Sequence, residues 1–195
     1  MSGSEGRLRD AMARVGEPCA PGPKPRKVPR THPLAREIRA VASEVRALVT
    51  RARAASREYL VSIGRGGGAD LAISYNASAR TALDARGEMG GFPLVGLGSE
   101  RAVYRLPHGE VVKVGTDEGG DAQCRKEAAR WRNAPEAVAM LLCPVLAAGE
   151  GWVVMPFAGP AWVSTLAGAD RVTWDVRQEN LGSHCGRVVL VDYGV

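Results

Sequence analysis

Long apolar runs are missing from this 195-residue chain. No stretch approaches the roughly eighteen apolar residues that a membrane helix needs, so no contact with a bilayer is expected. The opening Met1-Ser-Gly-Ser-Glu-Gly-Arg7 lacks the apolar core of a secretory signal, which makes a cytoplasmic location the expectation. Cysteine is scarce: Cys19, Cys124, Cys143 and Cys185 form no Cys-x-x-Cys pair and have no histidine at zinc-finger spacing. That argues against zinc and, in a cytoplasmic setting, against disulfides, so four reduced thiols are expected. Lysine is nearly absent as well. Of 26 basic residues only Lys24, Lys27, Lys113 and Lys126 are lysines. In a chain that writes arginine so consistently, a lysine inside the folded part needs a reason. The net charge of +5 permits contact with nucleic acid or an acidic surface without requiring it.

What is present falls into three parts. Residues 1–32 carry Gly, Pro, Ser and charge without apolar periodicity, and read as a disordered basic arm. Its Lys24–Arg30 stretch could make a weak contact with nucleic acid or an acidic partner, although a solvated tail is the simpler reading. Residues 33–91 form a helical extension and linker. From Pro33 to Leu60, Leu34, Ile38, Val41, Val45, Leu48, Ala52, Ala55 and Tyr59 recur in steps of three and four, which predicts a long amphipathic helix. Val61–Gly64 is strand-like, Gly64-Arg-Gly-Gly-Gly68 reads as a linker because no Gly-Lys-Ser/Thr follows, and Ala77–Arg86 suits a short helix.

Residues 92–195 turn to short strands. Phe92–Leu106 reads as strand, glycine-rich turn (Gly96, Gly98, Ser99) and strand, and Pro107-His-Gly-Glu110 turns the chain into Val111-Val-Lys113-Val114. After Gly119-Gly120 a helix capped by Asp121 is expected, with Cys124, Glu127, Ala128 and Trp131 on its inner face. Leu141–Phe157 gives an apolar hairpin. The last stretch is Asp175-Val-Arg177-Gln-Glu-Asn180, an apolar hairpin, then Asp192-Tyr-Gly194. An Asp, an Asn five residues on, and a second Asp closing a strand place three oxygen ligands on two loops joined by a short hairpin. Mg²⁺ takes such hard oxygen donors and shares them with phosphate, so Asn180 and Asp192 are candidate ligands of an ATP-bound metal. Asp175 is left to orient a hydroxyl and take its proton. Surface turns use the same residue types, so the upstream parts must arbitrate.

These motifs, in this order, resemble the protein-kinase superfamily: a glycine-rich loop, a strand lysine, a helix-C glutamate, a catalytic loop and an Asp-Phe-Gly motif written Asp-Tyr-Gly. The resemblance implies an α+β fold with an antiparallel N-lobe sheet and helix C. It implies that Gly96, Gly98 and Ser99 fold over phosphates, that Lys113 holds them and pairs with Glu127, and that Met155–Gly159 is a hinge meeting adenine. Val103, Ala148 and Met155 are then the apolar walls, with ATP and Mg²⁺ as cofactors. Arg177 stands where kinases acting on Ser or Thr place a lysine, which favours a protein substrate or autophosphorylation. The chain departs from the pattern at the third glycine, which is Arg101, and at Thr173-Trp174 before the catalytic Asp.

Only seventeen residues separate Phe157 from Asp175, too few for a substrate lobe, and Val195 follows Asp-Tyr-Gly directly. The expectation is a minimal kinase-like protein, compact enough to suit a phage genome. Its catalytic-loop hairpin is truncated, and the long N-terminal helix covers that hairpin in place of the lobe. An ATP/Mg-dependent phosphotransferase leads, acting on an unknown protein substrate. A nucleotide-binding pseudokinase, or a nucleic-acid-binding accessory protein using the arm, is the alternative.

Overall fold

The computed structural model describes residue 28 and residues 31–65, 68–161 and 177–194, leaving the side chains of 68–72 aside. The class is α+β. Two helices come first, α1 (Ala35–Ser62) and α2 (Gly68–Arg86), which pack along one another. Six strands then form an antiparallel sheet: β1 (Glu88–Met89), β2 (Phe92–Leu97), β3 (Arg101–Leu106), β4 (Glu110–Gly115), β5 (Ala147–Gly149) and β6 (Trp152–Pro156). Their order is β1-β2-β3-β4-β6-β5. Helix α3 (Glu118–Asn133) and the short α4 (Glu136–Ala139) lie between β4 and β5. A second, three-stranded sheet is built from β7 (Gly159–Pro160), β8 (Leu181–His184) and β9 (Arg187–Leu190).

Because side chains alternate across a strand, the central strands divide the molecule in two. Val112 and Val114 of β4, Tyr104 of β3 and Val154 of β6 face one way, into a cluster completed by Ile38, Val41, Val45 and Val49 of α1. Val111, Val153 and Met155 face the other way, into a cluster with Cys124, Ala128 and Trp131 of α3 and Leu181, Val189 and Leu190 of the small sheet. Each fully buried Val or Ile contributes about 1.5–3 kcal/mol relative to exposure, which makes α1 a structural member of the sheet and not an appendage.

This corrects the expected docking of the long helix. It covers the sheet face opposite α3, and the β8–β9 hairpin is covered instead by α3 and the Leu142–Val145 segment, with Leu142 bridging to Leu190. The predicted stripe also drifts: Leu60 is buried while Tyr59 is 65% exposed, because α1 runs past the sheet after Val49. Val61 and Ser62 belong to α1 rather than to a strand, and α2 begins nine residues before the predicted Ala77. The described part of the expected disordered arm is docked: Val28 is buried in the α3 cluster and His32 Nε2 lies 3.1 Å from Glu110 Oε2. Lys24, Lys27 and the rest of the arm lie outside the described residues. Cysteine breaks expectation once. Cys124 and Cys143 are free and buried, but Cys185 is disulfide-bonded. Among the described residues no helix is long and apolar enough to cross a membrane.

Candidate functional site

Lys113 sits at the middle of β4, paired with Val103 on one side and Val153 on the other. Its parity directs it towards α3, where Glu127 is fully buried. Lys113 Nζ donates to Glu127 Oε1 at 2.7 Å and also to the Val191 carbonyl. The N-cap that sets the position of α3 is Asp117, whose side chain accepts from Gly120 N–H at 3.0 Å. The predicted cap, Asp121, lies inside the first turn and holds Arg46 of α1 at 2.7 Å. Gly119 and Gly120 are helical rather than a break, and Gly120 must be glycine because a Cβ there would stand 2.0 Å from the Glu100 carbonyl.

The β8–β9 hairpin brings Asn180 and Asp192 to its base. Leu181 pairs with Leu190, and Val191 N–H donates to the Asn180 carbonyl at 2.8 Å. Tyr193 is anchored in the core, its hydroxyl donating to the Cys143 carbonyl at 2.7 Å and its N–H to Glu127 Oε1 at 3.2 Å. Arg130 donates to the Tyr193 carbonyl. Gly194 lies so close to α3 that a Cβ would stand 2.6 Å from the Gln123 carbonyl. Asp192 is thereby fixed beside Lys113 and Glu127.

Between β2, β4, β6 and the hairpin base is a cavity of about 260 Å³ whose lining includes Gly96, Val103, Lys113, Met155, Asn180 and Asp192. Its volume falls just below the roughly 300–1,000 Å³ typical of small-molecule sites. At its mouth the Arg105 guanidinium stacks 3.7 Å over the Phe157 ring. A larger cavity, about 570 Å³, lies between α1, α3 and β5 with Arg39, Arg125 and Arg132 on its walls and none of these site residues. Ala148, expected beside adenine, lines that cavity instead. Gly98 and Ser99 are exposed and do not line the smaller cavity, and Arg177 is exposed, 3.9 Å from Glu179. Asp175 and Thr173-Trp174 lie outside the described residues. The expected hinge is tied in at several points: Met155 pairs with Val111, Phe157 N–H donates to the Gly109 carbonyl at 2.8 Å, and Gly159 pairs with Ser183.

Sequence reasoning treated Arg101 only as a missing glycine, and here the structure adds most. The turn before β3 is pinned to α3 and to the segment that leads into it, with Thr116 N–H donating to the Glu100 carbonyl at 2.8 Å and Gln123 Nε2 of α3 to its carboxylate at 2.6 Å. Arg101 therefore points inward, with 5% of its side chain exposed, pairing with Asp192 and lying 3.0 Å from Glu127 Oε1. Two cations and two carboxylates balance. Burial opposes ionisation of Asp192, but Lys113 and Arg101 outweigh it and hold the carboxyl at about 2. Burial likewise works against the Arg101 charge, yet Glu127 and Asp192 raise its pKa further. The neighbouring Cys124 and Cys143 thiols are pushed up by burial to about 12, which makes them unreactive.

A strand aspartate was expected to need a metal to answer its charge. The Arg101 guanidinium answers it instead. Among the described residues no group of three or more His, Cys, Asp or Glu could hold a metal ion, and Asp192 already carries a guanidinium. Asp192, one of the two expected metal ligands, therefore meets a guanidinium of the chain itself. No protein-family model matches the chain, and neither the curated proteins nor the solved structures hold a match.

Proposed function

We propose that this chain binds ATP in the smaller cavity and is a phosphotransferase of minimal, kinase-like design. The observation that carries the reading is the buried Lys113–Glu127 pair, 2.7 Å apart, on the wall of a cavity that Asn180 and Asp192 also line. A buried lysine held by a carboxylate presents a fixed point charge, and it suits phosphate oxygens where a guanidinium would be too broad. Val103 and Met155 supply apolar surface for a base. The reading assigns Asp175 to the acceptor hydroxyl, and Arg177 favours a Ser or Thr of a protein, this chain included, as acceptor.

Incubation with γ-labelled ATP, alone and with lysate, tests it: label should appear on protein and should vanish in Lys113→Met. No transfer by the unaltered chain across several divalent metals and in their absence would overturn the enzymatic reading. The Arg101–Asp192 pair favours one second reading, a nucleotide-binding module without transfer, because it occupies the aspartate that a kinase gives to metal. Retained ATP binding without any transfer would select it.

A further inference from the structure

We propose that Arg101 is a tethered counter-cation that stands in for a divalent metal at Asp192, so that a nucleoside triphosphate enters this cavity without one. The inference rests on the nucleotide-binding reading of the cavity.

An ionised carboxylate on the wall of a phosphate site repels its ligand unless something neutralises it, and a divalent ion bridging carboxylate and phosphate is one remedy. Here the remedy is covalently attached to the chain. Arg101 pairs with Asp192 without itself lining the cavity, so the carboxylate is neutralised from behind while Lys113 remains on the wall. Nor is Arg101 a surface side chain that swings into place. Its side chain is 5% exposed, and the turn that carries it is fastened through the Glu100 carbonyl to Thr116 ahead of α3 and through the Glu100 carboxylate to Gln123 within it. Freeing Asp192 for a metal would leave the buried guanidinium with only one of its two carboxylates, Glu127, which it would share with Lys113, a costly state. Placing a metal beside the intact pair would set a second cation against a carboxylate whose charge Arg101 already balances. Charge balance points the same way: Lys113 and Arg101 match Glu127 and Asp192 before any ligand arrives.

Calorimetric titration of the full chain with ATP, in excess chelator and in Mg²⁺, tests the proposal. The unaltered protein should bind with affinities that agree within about threefold in the two buffers. Arg101→Gln should lose at least about tenfold in chelator, equivalent to about 1.4 kcal/mol. Mg²⁺ should restore much of that loss, and Arg101→Lys should fall between. Binding by the unaltered protein that improves tenfold or more with Mg²⁺ would overturn this inference and leave the nucleotide site standing. Arg101→Gln that binds in chelator as well as the unaltered protein would overturn it too. No ATP binding in either buffer would remove the nucleotide reading and the inference together. Should Arg101→Gln fail to fold, the comparison of the two buffers with the unaltered protein still decides.

Discussion

Asp192 shows what the surrounding charges are worth to a single residue. Its carboxyl is held at about 2, below its ordinary 3.8, because Lys113 and Arg101 overcome the cost of burial. A group whose value is depressed on folding stabilises the native state above its unfolded value, and the contribution is lost as pH falls through the folded one. Asp192→Asn should therefore be less stable than the unaltered protein by a constant margin from neutral pH down to about 4. The margin should close between about 4 and 2. Urea unfolding followed across that range checks it, and a margin that stayed constant down to pH 2 would mean that ionisation of Asp192 adds nothing to stability. The sequence had identified Asp192, Lys113 and Glu127 by type and order. It could not show that the missing third glycine places a guanidinium among them, because nothing local to Arg101 says that Glu100 is pinned to α3.

At the scale of the element, the contrast lies between the two faces of α1. Ile38 is completely buried against the sheet, so Ile38→Ala should cost about 2–5 kcal/mol. Arg46, on the same helix, reaches Asp121 at 2.7 Å but leaves 38% of its side chain exposed. Solvent screens such a pair, and Arg46→Ala should cost less than about 1 kcal/mol. Comparable denaturation midpoints for the two variants would contradict this account of how the helix is held. The periodicity of α1 was legible as far as Val45, where a single partner, the sheet, dictates which positions are buried. Beyond Val49 the partner changes to α2, and the register drifts to bury Leu60 instead of Tyr59. The N-terminus of α3 was misplaced for a different reason. Gly119-Gly120 reads as a breaker in isolation, yet only glycine admits the Glu100 carbonyl there. Local propensity lost to a long-range contact that the sequence does not announce.

For the whole molecule, the boundary drawn between residues 91 and 92 runs through a hydrophobic cluster. Tyr104, Val112, Val114 and Val154 have α1 as their cover, and Met89 and Phe92 stand on either side of the proposed cut within the same cluster. A chain comprising 92–195 alone should therefore not fold into a protease-resistant unit, whereas the full chain should. Sharp two-state melting of the fragment would show that the helices are dispensable.

The strand Glu110–Gly115 has a reading frame. Its even-numbered valines meet α1 and its odd-numbered members, Val111 and Lys113, meet the other layer. Removing one residue within the strand, without altering any side chain that remains, would exchange the two registers for everything on one side of the lesion. A valine would then face Glu127, and an ammonium would be driven into the cluster of Ile38 and Val45. Conservative substitutions along this strand are spelling errors, and a one-residue deletion is a frameshift in three dimensions.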